Sequence, residues 1–495
     1  MADSKRYVRP AALVVSALMA AVLAGCGGGS SSDDDTPPVT PPATPKTYVD
    51  SLVLPASAIK SVAANDVPAA QVAVFAIQLP AWDAAKSAET TVPGMAMQIG
   101  AARAVDALAS VAQVNKALPW KLQADGSHVA AVSITSCGAY GLRVGVQVEQ
   151  LPDNAVIRVY RADLRDKAYQ TTGESVNALL ALNRAAGDTS AAAKTWWTPD
   201  MGAGEATIEI ALPASVSTAA VQIAIPTVSH VFQNLALPTE TEWAEFTKAT
   251  SGACNLDATC TTNYALERNA VARMTFVSDG NGYLCTGTLL NNSKADFTPY
   301  FITANHCIST QASATSMQTS WFYRSASCNS TSVQSNTAVR ARGATLLYAT
   351  ASTDTTLLQL NEMPPAGTTL AGWDARNTVT ARNGVTAGSA MYGLHHPKGD
   401  LLKYSEGALE AYTNCTTSGQ SLSCSTGDAQ SNYYRVLWTK GVTEGGSSGS
   451  GIFNNGRLVG TLTGGSSQCG VIGGSDSYGR FDKVFNSRLN EWLAQ

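Results

Sequence analysis

Cysteine is distributed unevenly along this 495-residue chain, and that distribution limits how its second half can fold. Eight of the ten cysteines lie after residue 250, and the first half holds only Cys26 and Cys137. No Cys-x-x-Cys pair occurs, which disfavours a zinc ribbon or a redox motif. The second half is therefore expected to be a separate unit, cross-linked by disulfides in an oxidising compartment.

The first 26 residues have the pattern of a secretory signal. A positively charged start is followed by an apolar stretch over residues 11–24, too short to span a bilayer comfortably as a mature helix. The stretch ends in Leu23-Ala24-Gly25-Cys26, which resembles a bacterial lipobox. The resemblance implies that Cys26 is acylated and anchors the protein to the cell envelope, at the outer membrane or surface. The alternative is an ordinary signal peptide and a secreted product.

Composition divides the rest of the chain into three parts. Residues 27–46 are Gly, Ser, Asp, Thr and Pro almost throughout, which predicts a solvated tether. Residues 47–248 contain short alternating runs, which predict a β-sandwich-like N-terminal domain, and a helix is expected over 97–117. This domain is either a propeptide or a permanent binding domain. Residues 249–495 are predicted to be mainly β, with a C-terminal helix whose apolar face holds Phe485, Leu489, Trp492 and Leu493.

Charge excludes one class of partner. The net charge is −4 and no basic run follows residue 10, so nucleic acid is not expected to bind. No later segment is long and apolar enough to span a membrane, which leaves the lipid on Cys26 as the predicted membrane contact. No metal or cofactor site is expected.

A histidine and a glycine-rich serine loop carry the candidate chemistry. His306 follows the apolar run Phe301-Ile302-Thr303 and precedes Cys307, which would lock the backbone beside it. The loop Glu444–Gly451 contains Ser448 between glycines and lies between two strand-like segments. A serine becomes nucleophilic when a positioned base takes its proton. Ser448 is the predicted nucleophile, with the N–H groups of Gly446 and Ser448 as the oxyanion hole.

The order of the residues decides between two hydrolase architectures. Gly445–Gly449 also fits the nucleophile elbow of α/β-hydrolases, but those enzymes place the histidine after the serine. No histidine follows His396 here, so the order His, Asp, Ser is that of chymotrypsin. The acid is predicted to be Asp354, which opens the apolar strand 354–360, whereas Asp374, Asp400 and Asp428 lie in turn-like contexts.

From Cys254 onward the chain resembles the lysyl endopeptidase group of trypsin-like serine proteases. The resemblance implies two antiparallel β-barrels with the active site between them, and hydrolysis of polypeptides through an acyl-enzyme. It also implies structural roles for His395 and His396. The matching stretches are 285–292, 301–307, 354–360, 371–374, 395–397, 441–451 and 475–480.

The same resemblance implies a disulfide pattern. It pairs Cys254 with Cys469, Cys260 with Cys328, and Cys285 with Cys307. Cys415 and Cys424 lie in an insertion relative to the family and are paired with each other by elimination. Cys137 is left single.

Substrate specificity is also inferred from the resemblance. The family's specificity acid corresponds to Asp476, with Thr463-Gly464-Gly465 forming another wall of the S1 pocket. The residue before the nucleophile is Ser447 and the residue six positions before it is Val442, where many trypsin-like enzymes have Asp. Thr463 stands where the family has a stacking histidine, and the matching tryptophan is missing from 411–424. A basic P1 residue is therefore expected, with only modest preference for Lys over Arg.

Two further hypotheses remain open at this stage. Lys248-Ala249 is the predicted processing junction, because Lys248 is the last basic residue before Cys254; an ordinary linker lysine is the alternative. The alternatives to a protease are a catalytically silent surface lipoprotein that uses the protease scaffold as a binding module, and a serine esterase with the same triad.

Overall fold

The computed structural model describes residues 45–59, 64–67, 70, 72–83, 95–235, 251–382, 388–418, 421–471 and 473–495. The predictions about Cys26, the tether up to residue 44 and the Lys248-Ala249 junction lie outside the described residues. Among the described helices, none combines the length and apolar character needed to cross a bilayer.

The part of the chain before residue 235 is mostly β-structure. Its strands are β1 (Tyr48–Val49), β2 (Leu52–Val53), β3 (Ala64–Val67), β4 (Val74–Gln78), β5 (Met97–Gln98), β6 (Gly100–Ala104), β7 (Lys121–Leu122), β8 (His128–Thr135), β9 (Gly141–Gln150), β10 (Val156–Tyr160), β11 (Ala168–Thr172), β12 (Thr195–Trp197), β13 (Glu205–Leu212) and β14 (Gln222–Val231). Its α-helices are α1 (Val111–Ala117) and α2 (Gly173–Ala185).

Two sheets form the predicted sandwich. One has the strand order β3-β11-β10-β13-β8-β4, with β7 paired to β8, and the other has the order β12-β9-β14-β6. Their facing side chains share one core, in which Val132 and Ile134 of β8 lie with Val144 and Val146 of β9. Strict alternation in these strands places every second residue on this inner face. The β-sandwich-like prediction is therefore confirmed.

The helix predicted over residues 97–117 is wrong for most of its length. Met97–Gln98 and Gly100–Ala104 are strands, a short 3-10 turn covers Asp106–Leu108, and only Val111–Ala117 is α-helical. Ser110 starts this helix, because its hydroxyl accepts a hydrogen bond from the Gln113 N–H. The alanine-rich composition favours a helix, but backbone pairing with neighbouring strands overrides that local preference.

After residue 250 the chain is again mostly strands. They are β15 (Leu256–Asp257), β16 (Val271–Ser278), β17 (Asn281–Leu290), β18 (Tyr300–Thr303), β19 (Gln318–Trp321), β20 (Ala338–Arg340), β21 (Ala344–Thr350), β22 (Thr355–Leu360), β23 (Thr369–Leu370), β24 (Trp373–Asp374), β25 (Ala390–His395), β26 (Lys403–Ser418), β27 (Ser421–Thr426), β28 (Tyr433–Lys440), β29 (Gly451–Asn454), β30 (Arg457–Gly465) and β31 (Ser475–Arg480). A short helix α3 (Gln311–Thr315) follows β18.

These strands form two lobes. The first lobe is the antiparallel sheet β20-β19-β16-β17-β18-β22-β21, built on the predicted hairpin around Asp279-Gly280, whose positive φ values suit a tight turn. The second lobe is a closed six-stranded barrel, in which β25, β26, β28, β31, β30 and β29 pair in that order and β29 returns to β25. Closure leaves this barrel without a free edge.

The chain ends in a helix with the predicted apolar face. It runs through α4 (Phe481–Val484), a π-helical turn (Phe485–Leu489) and α5 (Asn490–Leu493). Phe485, Leu489 and Leu493 are buried against Trp373 in a core that both lobes share. The helix therefore packs the two lobes together on one side.

Four disulfides link the described cysteines after residue 250. They are Cys254–Cys469, Cys260–Cys328, Cys285–Cys307 and Cys415–Cys424, the same pairs that the sequence indicated. The last of these bonds joins facing residues of the hairpin β26–β27. Cys137 is an exposed free thiol.

Segments from before residue 100 also pair with the lobes. β1 and β2 pair with β24 and β23, and β5 pairs with β17 of the first lobe. The sandwich contacts the first lobe as well, because the buried Arg143 donates a 2.6 Å hydrogen bond to the Ser316 carbonyl. Residues 45–59 therefore complete the lobes and do not join the sandwich.

Candidate active site

His306 and Asp354 are held together by the ends of two strands in the first lobe. Asp354 precedes β22 and accepts two hydrogen bonds from His306, one from the backbone N–H at 2.8 Å and one from Nδ1 at 2.7 Å. The Asp354 carbonyl accepts a third bond from the Asn305 N–H. Because the carboxylate can only accept, Nδ1 carries the proton and Nε2 is free to act as a base.

Asp354 has a left-handed backbone conformation, with φ of 47°. Such a conformation is unfavourable for a residue with a Cβ and persists where surrounding contacts impose it. Here the hydrogen bonds from His306 and Asn305 impose it. The disulfide Cys285–Cys307 fixes the other side of His306, so the imidazole is anchored from both directions.

The Ser448 loop is fastened to the first lobe by Thr286. The Thr286 N–H donates to the Ser448 carbonyl at 2.8 Å, and its hydroxyl donates to the Gly446 carbonyl at 2.8 Å. Gly449 has φ of 80°, and a Cβ at this position would collide with the Thr303 side chain and the Thr286 carbonyl. Glycine is therefore required after Ser448, because the loop and the strand before His306 are in contact.

The carbonyls of residues 444–448 in this loop accept hydrogen bonds, whereas three N–H groups of the loop, those of Gly445, Gly446 and Ser448, have no acceptor among the described residues. Ser447 and Ser450 donate backbone hydrogen bonds within the loop, and Gly449 donates to Leu462. Within the described ranges, the N–H groups of Gly446 and Ser448 donate to no other residue. Two unpaired neighbouring N–H groups are the arrangement that an oxyanion requires.

The Ser448 loop and His306 are brought together through Cys285 and Thr286. A ring nitrogen of His306 lies within 4.8 Å of the Cys285 sulfur, next to the residue that binds the Ser448 carbonyl. His306 Nε2 is buried and has no hydrogen-bond partner among the described residues. The two nearby sulfurs belong to the Cys285–Cys307 disulfide, so they cannot bind a metal as thiolates. Nε2 therefore remains available to a hydroxyl proton.

His395 and His396 lie behind the Ser448 loop. His395 is hydrogen-bonded to the hydroxyls of Ser447, at 2.8 Å, and Ser405, at 3.1 Å. His396 Nδ1 donates to the Asp400 carbonyl at 2.9 Å. Burial lowers the pKa of each of these two imidazoles to about 3, so both are neutral. They support the loop from within the protein interior.

A cleft of about 450 Å³ runs from Ser448 to Asp476. Asp476 is buried, and its carboxylate accepts hydrogen bonds from Trp438 Nε1 at 2.6 Å, the Thr443 hydroxyl at 2.7 Å and the Ser467 hydroxyl at 2.6 Å. Burial raises the pKa of Asp476, and these hydrogen bonds offset part of that effect. An acid prepared in this way can receive a cationic side chain that enters the cleft.

Comparison with known proteins identifies the family. Two family models match the chain: the lysyl endopeptidase N-terminal domain over residues 73–232 and the lysyl endopeptidase C-terminal domain over residues 248–479. The lysyl endopeptidase of Pseudomonas aeruginosa is 32% identical over 397 residues, which cover 76% of this chain and 78% of the relative. The chain belongs to the lysyl endopeptidase family.

Solved structures of bacterial proteases are more distant. The active form of the Rv3671c protease from M. tuberculosis has 14% identity and a TM-score of 0.31, over 50% of this chain and 93% of its own. The protease domain of MamO from Magnetospirillum magneticum has 13% identity and a TM-score of 0.29, over 45% and 97%. The family membership identifies the present chain as a serine endopeptidase that acts on polypeptides.

The predicted walls of the specificity pocket lie in two different cavities of this lysyl endopeptidase homologue. Gly464 and Gly465 line the cleft with Asp476, and a Cβ on Gly465 would collide with the Asp476 carboxylate. Thr463 lines a second cavity, together with His306 and Asp354. An irregularity in β30 accounts for the separation, because its register against β31 shifts between Leu462 and Gly464, at Thr463.

Three partners of Asp476 were missed by sequence reasoning. Trp438, Thr443 and Ser467 come from separate segments, and only the pairing of β28 with β31, which aligns Val436 with Asp476, brings Trp438 within reach. Of these three residues, only Thr443 could have been suspected from the sequence, because it directly precedes the Ser448 loop. The tryptophan that contacts Asp476 thus comes from β28.

Replacing Ser448 by Ala should abolish labelling by a fluorophosphonate and lower peptide turnover by roughly 10⁶-fold. The physical reason is that the substitution removes the predicted nucleophilic oxygen. Labelling measured by mass spectrometry checks this, with Ser450→Ala as the matched control that should keep most activity. Equal loss in Ser450→Ala would refute the assignment. Hydrolysis of esters without amides would instead indicate a serine esterase.

Proposed function

We propose that this protein cleaves peptide bonds after Lys, and less rapidly after Arg, with Ser448, His306 and Asp354 as its catalytic triad. One observation carries the proposal: the predicted nucleophile and the buried Asp476 line the same cleft. A substrate carbonyl at Ser448 can therefore have its side chain directed toward a carboxylate. The four disulfides support action outside the cytoplasm.

The chemistry follows from the arrangement of these groups. The Ser448 hydroxyl passes its proton to His306 Nε2 as its oxygen attacks the carbonyl carbon, and Asp354 stabilises the resulting imidazolium. The N–H groups of Gly446 and Ser448 receive the carbonyl oxygen as it becomes negative. His306 then gives the proton to the leaving amine, which leaves an acyl group on Ser448. A water molecule, deprotonated by His306, releases the acid product and restores the hydroxyl.

Asp476 supports selection of a basic P1 residue. A buried carboxylate without a cationic partner is costly, so an apolar P1 side chain would leave it uncompensated. Oδ2 already accepts three hydrogen bonds, whereas Oδ1 accepts only the 3.3 Å bond from the Ser467 N–H. One lightly occupied oxygen suits the compact ammonium of Lys better than the forked guanidinium of Arg.

The N-terminal domain is proposed to keep the enzyme inactive before processing. β5 lies antiparallel to β17, with Met97 opposite Leu284, and the Ile99 N–H donates to the Gly282 carbonyl at 2.8 Å. Met97 is only 1% exposed, and Met95 lines the same cleft as Ser448. A strand held on this edge competes with a peptide substrate that would pair there.

Several contacts tie the N-terminal domain to the protease lobes. β1 and β2 pair with β24 and β23, and Arg143 donates to the Ser316 carbonyl. The proposed cut between Lys248 and Ala249 breaks none of these bonds. We therefore expect the domain to stay bound after this cut, until it is itself degraded or displaced.

The P1 preference can be measured with peptides that carry Lys, Arg, Leu or Glu at P1. Wild type should cleave the Lys peptide fastest. Asp476→Asn should lower kcat/KM for the Lys and Arg peptides roughly a hundredfold, which corresponds to a loss of about 3 kcal/mol in transition-state stabilisation, because the buried ionic contact is lost. Cleavage after Leu serves as the control and should change little. A wild-type preference for Leu or Glu would show that Asp476 is not the selector.

The ratio of kcat/KM for the Lys peptide to kcat/KM for the Leu peptide should depend on pH. Only ionised Asp476 attracts the cation, and burial raises its pKa, so the ratio of Lys to Leu cleavage should fall as the pH drops through that raised pKa. Protonation of His306 affects both substrates equally and cancels in the ratio. A ratio that stays constant through acidification would contradict the role of Asp476.

Blocking the proposed cut tests the inhibitory role of the N-terminal domain. Lys248→Ala should keep the domain attached and lower peptide turnover about tenfold or more below that of enzyme from which the cut domain has been removed. Adding Met97→Asp should restore turnover, because a charge is unfavourable in that buried site, whereas the volume-conserving control Met97→Leu should not. N-terminal sequencing verifies the state of each sample. An uncut chain with full activity would refute the proposal.

Anchoring through Cys26 is proposed from the lipobox pattern. Cells that express the protein should transfer a labelled fatty acid to the wild type and not to Cys26→Ser, because thioether and amide acylation both require this residue. The soluble fraction of the Cys26→Ser protein is the control for secretion. Labelling that persists in Cys26→Ser would refute the anchor site.

A further inference from the structure

A second cavity lies beside the first, on the other side of the end of β30. It measures about 440 Å³ and is lined on one side by His306, Asp354 and Ser352, and on the other by the hairpin of β26 and β27. Leu462 and Gly464 line the first cleft, whereas Thr463 between them lines the second cavity. The two cavities are therefore neighbours, separated by one strand.

The hairpin is held in place at three points. Cys415–Cys424 joins its two strands, and the Cys424 sulfur lies 3.3 Å from the Ser477 hydroxyl, next to Asp476. Asn432 follows the hairpin and donates to the Ser352 carbonyl at 3.2 Å, in the loop that carries Asp354. These contacts fix the hairpin between the wall of the first cleft and the acid of the triad.

The cavity presents uncharged hydrogen-bonding groups. Its lining includes Asn305, Asn414, Thr416, Asn432 and Thr463. Its acid–base members are His306 and Asp354, which are engaged with each other, and the phenol of Tyr433, whose pKa burial raises. Thr463 is 1% exposed, and its hydroxyl has no hydrogen-bond partner among the described residues. A buried hydroxyl without a partner is unfavourable until a ligand supplies one.

Substrate geometry connects the two cavities. An extended peptide places successive side chains on opposite faces, about 3.3 Å apart along the chain. If the P1 side chain occupies the cleft toward Asp476, the preceding side chain points toward the opposite face, where the second cavity lies. We propose that the second cavity binds the P2 side chain and selects an uncharged hydrogen-bonding residue, such as Thr or Asn, through Thr463 and Thr416. The inference rests on the proposed P1 specificity.

Matched peptides with Lys fixed at P1 test this inference. They differ only at P2, with Thr against its isostere Val and Asn against Leu, and kcat/KM is measured for each. Wild type should prefer Thr over Val by roughly tenfold, as expected for hydrogen bonds made in a desolvated site. In the variant Thr416→Val/Thr463→Val this ratio should fall close to one. Thr416 is exposed, so Thr416→Val alone keeps the test valid if the double variant folds poorly.

The control variant is Ser423→Ala, which lies opposite Thr416 in the hairpin and outside the lining of the cavity. It should keep the wild-type ratio. A Thr to Val ratio of one in wild type, or a ratio unchanged in Thr416→Val/Thr463→Val, overturns the inference. An acylated lysine ester, which has no P2 residue, reports P1 recognition separately. If the enzyme does not hydrolyse the lysine ester faster than the leucine ester, the P1 proposal is refuted. If it does, but shows no selection at P2, only the P2 inference is refuted.

Discussion

Thr286 connects the two lobes through hydrogen bonds between the Ser448 loop and the strand that precedes His306. This single residue of β17 binds the carbonyls of Gly446 and Ser448, and its own carbonyl accepts a hydrogen bond from Thr303, on the strand before His306. The serine comes from the second lobe and the histidine from the first, so their relative position depends on such cross-lobe bonds. Preorganisation of this kind is effective because the donors are oriented before the substrate arrives.

The same strand carries the contact on which the proposed inhibition rests. The edge of β17 at Tyr283–Leu284 is immediately followed by Cys285 and Thr286, and β5 pairs along that edge. A segment of the N-terminal domain therefore lies a few residues from the groups that position Ser448. Inhibition by pairing needs no distortion of the triad, since His306 and Asp354 are already bonded to each other while β5 is in place.

The proposed substrate selection depends on residues at the end of β30 that line two different cavities. Gly464 and Gly465 open the cleft toward Asp476, while Thr463 faces the cavity beside His306. The resemblance to the lysyl endopeptidases implied that all three residues form one wall of a single pocket. The register shift of β30 between Leu462 and Gly464 separates them. In our proposal this separation provides two adjacent sites for successive residues of a peptide.

Sequence by itself determined the short-range features of this protein. The alternating runs predicted the sandwich strands, and Asp279-Gly280 predicted a hairpin. The order of His306, Asp354 and Ser448 excluded the α/β-hydrolase architecture. These features were predictable because they depend only on local periodicity and on the order of residues along the chain. Only the tertiary structure decided that residues 97–104 form strands, that Trp438 reaches Asp476, and that Thr463 leaves the first cleft. Each of these depends on backbone pairing between segments far apart in sequence, and pairing of that kind overrides local propensity and leaves no periodic signal in either segment.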